Sequence, residues 1–108
     1  MAKNFIQPGN VIDYTAGAAL ASGAVVLIGA RIGVLLSALA NGETGPAQMT
    51  GVFEIAKLST DAMTKGALLY WDNTNSRLTL TSAGNTLAGY AWAAAGAGTT
   101  TVQCNINA

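Results

Sequence analysis

The chain has 108 residues, the length of one ordinary domain, and 51% of them are apolar, enough to bury a single core. Only 9% are charged, five Lys/Arg against five Asp/Glu, and Lys3, Arg31, Lys57, Lys65 and Arg77 stand singly. Electrostatic binding of nucleic acid needs a basic stripe that displaces counterions, so nucleic acid is disfavoured as a partner.

The apolar set contains 21 alanines, while two Phe, two Trp and three Tyr supply the aromatic bulk. Burying alanine gains far less than burying a large side chain, which predicts a thin core that benefits from a partner surface. A neutral surface rich in Thr and Asn suits a protein largely covered by other subunits; a neutral monomer is the plain alternative.

Chemical equipment is sparse. The absence of histidine removes the commonest general base and metal ligand. Cys104 is the only cysteine, so it can form neither an intrachain disulfide nor a zinc site, and it is expected to pack as a small hydrophobe. Asp13, Glu43, Glu54, Asp61 and Asp72 are too scattered in sequence for a paired acid/base motif. The tract Gly96-Ala97-Gly98-Thr99-Thr100-Thr101 lacks the third glycine and following helix of a phosphate loop and reads as a hairpin turn. No enzyme activity, cofactor, metal or small-molecule substrate is expected.

Taken in chain order, Met1 to Pro8 lacks the apolar stretch of a signal peptide, so the mature protein is expected to start here. Residues up to about 9 read as an N-terminal arm, and such arms are ordered only when tied down. Residues Ala16 to Ala40 are almost continuously apolar, but Arg31 near the middle and Gly17, Gly23, Gly29 and Gly33 oppose a membrane span. Ala24 to Ile28 instead reads as a buried strand, Arg31 as a turn and Ile32 to Ser37 as a second strand, followed by a loop over Asn41 to Pro46.

Period-two alternation then places Met49, Gly51, Phe53 and Ile55 on one face and Gln48, Thr50, Val52 and Glu54 on the other. Ser59 to Gly66 is the one helical candidate, a turn or two around residues 60–65, with Ser or Thr as N-cap and Gly66 as C-cap. Asp72 to Ser76 reads as a hairpin turn, across which Asp72 and Arg77 could pair, and Leu78 and Leu80 alternate with Arg77, Thr79 and Thr81. Val102, Cys104 and Ile106 alternate with polar residues in the clearest half-buried strand. These elements predict an all-β domain over 1–108, a compact antiparallel barrel or sandwich of about eight short strands with at most one short helix.

The ordered series of segments resembles a family of phage capsid cement or decoration proteins, and the likeness runs nearly end to end. It is carried by Met1 to Ile12, Ala21-Ser22-Gly23, Thr50 to Lys57, Gly66 to Asp72, Asn85 to Ala91 and the alternating C-terminal strand. Each fragment is weak alone; their order and spacing are specific. Two places depart from the pattern: Ala56 precedes Lys57 where relatives often carry Pro, and Tyr90-Ala91-Trp92 is bulkier than the usual small aliphatic run.

The resemblance implies a non-enzymatic virion protein, made in the host bacterial cytoplasm and added to the capsid exterior. Its implied partners are the major capsid protein and copies of itself, commonly as trimers at local threefold positions. From another class, the alternative is a tail or baseplate β-module that binds a host glycan or another virion protein. Phe5 and Ile6 in the arm, and Tyr70, Trp71, Tyr90 and Trp92 in their strands, are the candidate interface residues. Phe5 closing one end of its own barrel, and both members of each aromatic pair packing into a thin core, are the competing readings.

Overall fold

The computed structural model describes residues 7 and 9–108. Among the described residues, nine strands form two antiparallel sheets: β1 (Val11–Thr15), β2 (Val25–Ile28), β3 (Arg31–Leu35), β4 (Thr44–Gln48), β5 (Val52–Ala56), β6 (Leu68–Asp72), β7 (Arg77–Thr79), β8 (Thr86–Ala91) and β9 (Thr101–Ile106). The four-stranded sheet runs β1-β4-β3-β2 and the five-stranded sheet β5-β9-β8-β6-β7. The all-β expectation holds, as a sandwich-like pair of sheets; neither sheet closes into a barrel.

The apolar stretch at 16–40 is the strand pair anticipated above, with β2 and β3 joined by the tight turn at Gly29-Ala30. Arg31 is the first residue of β3 rather than the turn itself. No helix among the described residues is long and apolar enough to cross a membrane.

Three local expectations change. First, Thr44, Gly45 and Pro46 belong to β4, an interior strand. Proline is tolerated there because the β3–β4 ladder pairs only Val34 with Gln48 and Leu35 with Ala47. Just beyond it, the Leu36 N–H donates to the Pro46 carbonyl at 3.2 Å, and the Ser22 hydroxyl, at 3.4 Å, serves the Leu36 carbonyl that a non-proline N–H would reach.

Second, the alternating run 48–56 is divided between two sheets, with Met49 to Gly51 carrying the chain across; Ile55 is buried and Phe53 partly so, as their spacing predicted. Third, Ser59 to Gly66 is not helical. Met63 exchanges both backbone bonds with Ala95 at 2.8 Å, and its side chain is buried. A one-turn helix carries the full nucleation cost for one or two bonds, so the long-range pairing prevails.

Buried side chains gather into two clusters that share β3. Ile32 and Val34 face the large one, with Ile55, Met63, Leu69, Trp71, Leu78, Val102, Cys104 and Ile106. Leu35, on the opposite face of β3, joins Val26, Ala16, Leu39 and Ala47 in the smaller one. Among the described residues only five alanines are buried, Ala16, Ala47, Ala88, Ala91 and Ala95, so large aliphatics and one Trp do most of the filling.

Candidate binding surface

An exposed sheet face is ordinarily polar, because period-two alternation sends apolar side chains inward. The outward face of the five-stranded sheet departs from this. Val52 of β5 pairs with Asn105 of β9, Asn105 with Tyr90 of β8, and Tyr90 with Leu68 of β6, so these four side chains form one row across four strands. A second row joins Leu87, Tyr70 and Thr79. Leu68 is 54% exposed, Trp92 48%, Leu87 47% and Val52 42%; Tyr70 and Tyr90 are half-buried.

Backbone geometry creates this face. The β6–β8 register shifts between Leu69 and Tyr70, where two residues of β8 oppose one step of β6. Gly89 sits at the shift with φ +151°, close against the Asn105 backbone, where a Cβ has no room. The bulge leaves Ala88 and Ala91 buried and turns Leu87, Tyr90 and Trp92 outward.

The Tyr90 and Trp92 rings lie 6.3 Å apart and tilted by 37°. Two residues apart, they lie on the same face and do not divide between core and surface. The Asn105 side-chain amide donates to the Tyr90 hydroxyl at 3.0 Å, which fixes that ring. With Lys65, Gly66 and Ala91 the two rings line an open cleft of about 360 Å³.

The remaining candidates divide. Trp71 is a core residue, 4% exposed, and its indole N–H donates to the Asn73 side-chain oxygen at 3.1 Å; its neighbour Tyr70 points the other way. Phe5 and Ile6 lie outside the described residues. Leu80 was expected inward, but β7 ends at Thr79 and Leu80 is exposed. Thr79 takes the buried position beside Leu78 because its hydroxyl donates to Asp61 at 2.8 Å.

Asp72 works within its own turn. Its carboxylate accepts from the backbone N–H of Thr74 and Asn75 and from the Asn75 amide, which holds it below the ordinary carboxylate range, with Arg77 a smaller contribution.

Two polar side chains that the sequence did not single out organise the scaffold beneath the face. Lys57 is buried and its ammonium donates to the carbonyls of Leu58 and Thr99 at 3.1 Å and of Gly96 at 3.4 Å, tying the end of β5 to the β8–β9 loop. Asn107 joins the sheets: its amide donates to the carbonyls of Ile32 (2.7 Å) and Met49 (2.9 Å) and accepts from the Ile32 N–H (3.2 Å). Nothing local in either segment marks these long-range roles.

Among the described residues, no group of three or more His, Cys, Asp or Glu is placed to hold a metal ion. Cys104 is fully buried and desolvation pushes its thiol up to about 12, so it packs as a neutral hydrophobe. The class is therefore a small two-sheet β module carrying an aromatic and aliphatic outer face.

The chain belongs to the phage cement protein family, whose model matches residues 6–106. That membership associates it with the phage capsid as a structural component of the virion. No curated protein and no solved structure was found to match it.

Proposed function

We propose that the protein binds the outer surface of an assembled phage capsid as a decoration protein, as a homotrimer at local threefold positions, and stabilises the shell against packaged DNA. The observation that carries this reading is the outer face of the five-stranded sheet in a member of the cement family: Val52, Leu68, Leu87 and Trp92 are exposed together, with Tyr70 and Tyr90 between them. A contiguous apolar patch of this kind marks an interaction surface, and aromatic side chains dominate binding at such surfaces. No catalytic step is assigned to it.

The test is co-sedimentation of the purified chain with expanded heads that lack it, followed by cryo-electron microscopy. Added density outside the major shell at threefold positions is the expected result. A protein that stays monomeric in the supernatant would overturn the reading. A host-glycan module is the second reading, favoured by the exposed Trp92 packed against half-buried Tyr90 beside Asn105; sugar binding on a carbohydrate array, with no head binding, would establish it.

A further inference from the structure

The two sheets meet along a groove of about 320 Å³, lined by Leu20, Ala24 and Val25 on one side, Glu54 and Ala56 on the other, and Trp71 below. Both walls are sheet edges. On the β2 side, the Leu35 N–H donates to the Ala24 carbonyl, so Ala24 and Val26 face β3 while Val25 and Leu27 turn their backbone groups outward. On the β5 side, Gly51 bonds Ile106 and Lys57 bonds Thr100, so Val52 and Glu54 turn their backbone groups away from β9, while the Lys57–Leu78 bridge joins the end of the strand, at Ala56, to β7. β2 and β5 each stand last in the strand order of their sheet. The outward row of β2 beside an apolar floor is complementary to an extended polypeptide.

We propose that this groove receives residues 1–7 of a second copy of the chain, added as a strand against β2 with β5 as the facing wall. The inference rests on the homo-oligomeric part of the function proposed above. Three observations select this occupant. Residues 1–7 reach about 23 Å when extended, enough to run the length of either edge. They carry Phe5 and Ile6 for the apolar floor, and Lys3, their one charged side chain, has the sign opposite to Glu54, the one charged side chain of the groove.

Geometry then separates a neighbour's segment from the chain's own. Val11, Gln48, Val34 and Val25 form one row, so the start of β1 stands three strand spacings, about 14 Å, from Val25. The chain's own segment would have to cross a sheet face already covered, on one side by the large cluster and on the other by the smaller one. A neighbour presents its segment to the groove directly. A contact from the β1 edge of one copy to the β2/β5 groove of the next is heterologous, the kind of contact that closes a ring when the rotation between copies divides a full turn.

Disulfide trapping in the full-length protein tests this. Ile6→Cys and Ala56→Cys are made singly and together, with buried Cys104 as an inert background. Mixing the two single variants should give a covalent mixed dimer, and the double variant a covalent ladder of oligomers. A charge swap supplies a second readout: Lys3→Glu and Glu54→Lys should each weaken self-association, by up to about fivefold, and the double exchange should restore it.

Disulfides confined within one chain would overturn the proposal, as would their absence in a protein that still oligomerises. Trapping to a capsid subunit alone, when heads are present, would assign the groove to that partner and overturn it too. Head binding is scored separately. Trapped oligomers that fail to bind heads would sink the capsid reading and leave this one standing, and bound heads without trapping would do the reverse.

Discussion

Asn107 illustrates how much of this fold hangs on single polar side chains. It holds a left-handed backbone (φ +57°) while its amide makes three hydrogen bonds to β3 and to the β4–β5 connection. Asn107→Gly removes the amide without straining that backbone, so it isolates the side chain's share. The expected loss is about 2 kcal/mol, a fall in Tm of roughly 8–16 °C by thermal unfolding. Asn107→Ala should lose more, since alanine disfavours the left-handed region.

Asp61 gives a pH signature. The Leu80 N–H and the Thr79 hydroxyl donate to its carboxylate at 2.9 and 2.8 Å. The Leu80 bond is the largest influence holding it below the ordinary 3.8, against an opposing contribution from burial, with Thr79 and the more distant Lys57 and Arg77 adding to the lowering. A depressed folded-state carboxyl contributes stability above its unfolded pKa and loses it as pH falls through the folded one. Melting curves between pH 6 and pH 2 should therefore fall off below about 4. Asp61→Asn should start lower at pH 6 and decline less steeply.

At the scale of elements, turns and connections decide more than strand propensities. Lys57 stands at the end of β5 and binds three carbonyls, two of them from the β8–β9 loop some forty residues later. Lys57→Met keeps the aliphatic stem and strands those carbonyls away from a donor. A loss of about 3 kcal/mol is expected, measured by denaturant unfolding, with amide exchange accelerating first in the loop around Gly96 to Thr99. The sequence offered this residue as a scattered charge and as part of the family resemblance but not as a tie, because its partners come together through the β5–β9 pairing.

The same reason accounts for the segment at 59–66. Its Ser/Thr, Asp, Lys and Gly placement fits a short helix, yet the Met63–Ala95 bridge and the Asp61–Thr79 bond are both long-range and are invisible to a local reading.

At the scale of the whole molecule, the protein is flatter than a sphere: its principal extents are 46 × 36 × 23 Å, and its radius of gyration is 14.5 Å against about 13 Å for a compact domain of this length. A flat body offers broad faces to a shell. If the outer face of the five-stranded sheet docks the capsid, Leu68→Ser with Trp92→Ser should cut head binding by at least about tenfold. Its Tm should move by less than about 4 °C, because both side chains are half-exposed in the free protein. A large loss of stability, or unchanged head binding, would remove this face from the interface.

Strand positions such as Val25 to Ile28, Val102/Cys104/Ile106 and the Asp72 to Ser76 hairpin were determined by the sequence alone, since alternation and turn chemistry act over neighbouring residues. So was family membership, through the order of its segments. Which aromatics face outward was not. Tyr90 and Trp92 share one side by plain alternation and a bulge at Gly89 turns that side outward, while the core claims Trp71. Likewise the division of residues 48–56 between two sheets, the Lys57 and Asn107 ties and the β2/β5 groove exist only once distant strands meet. Their energies come from contacts across dozens of residues, and no local pattern encodes those.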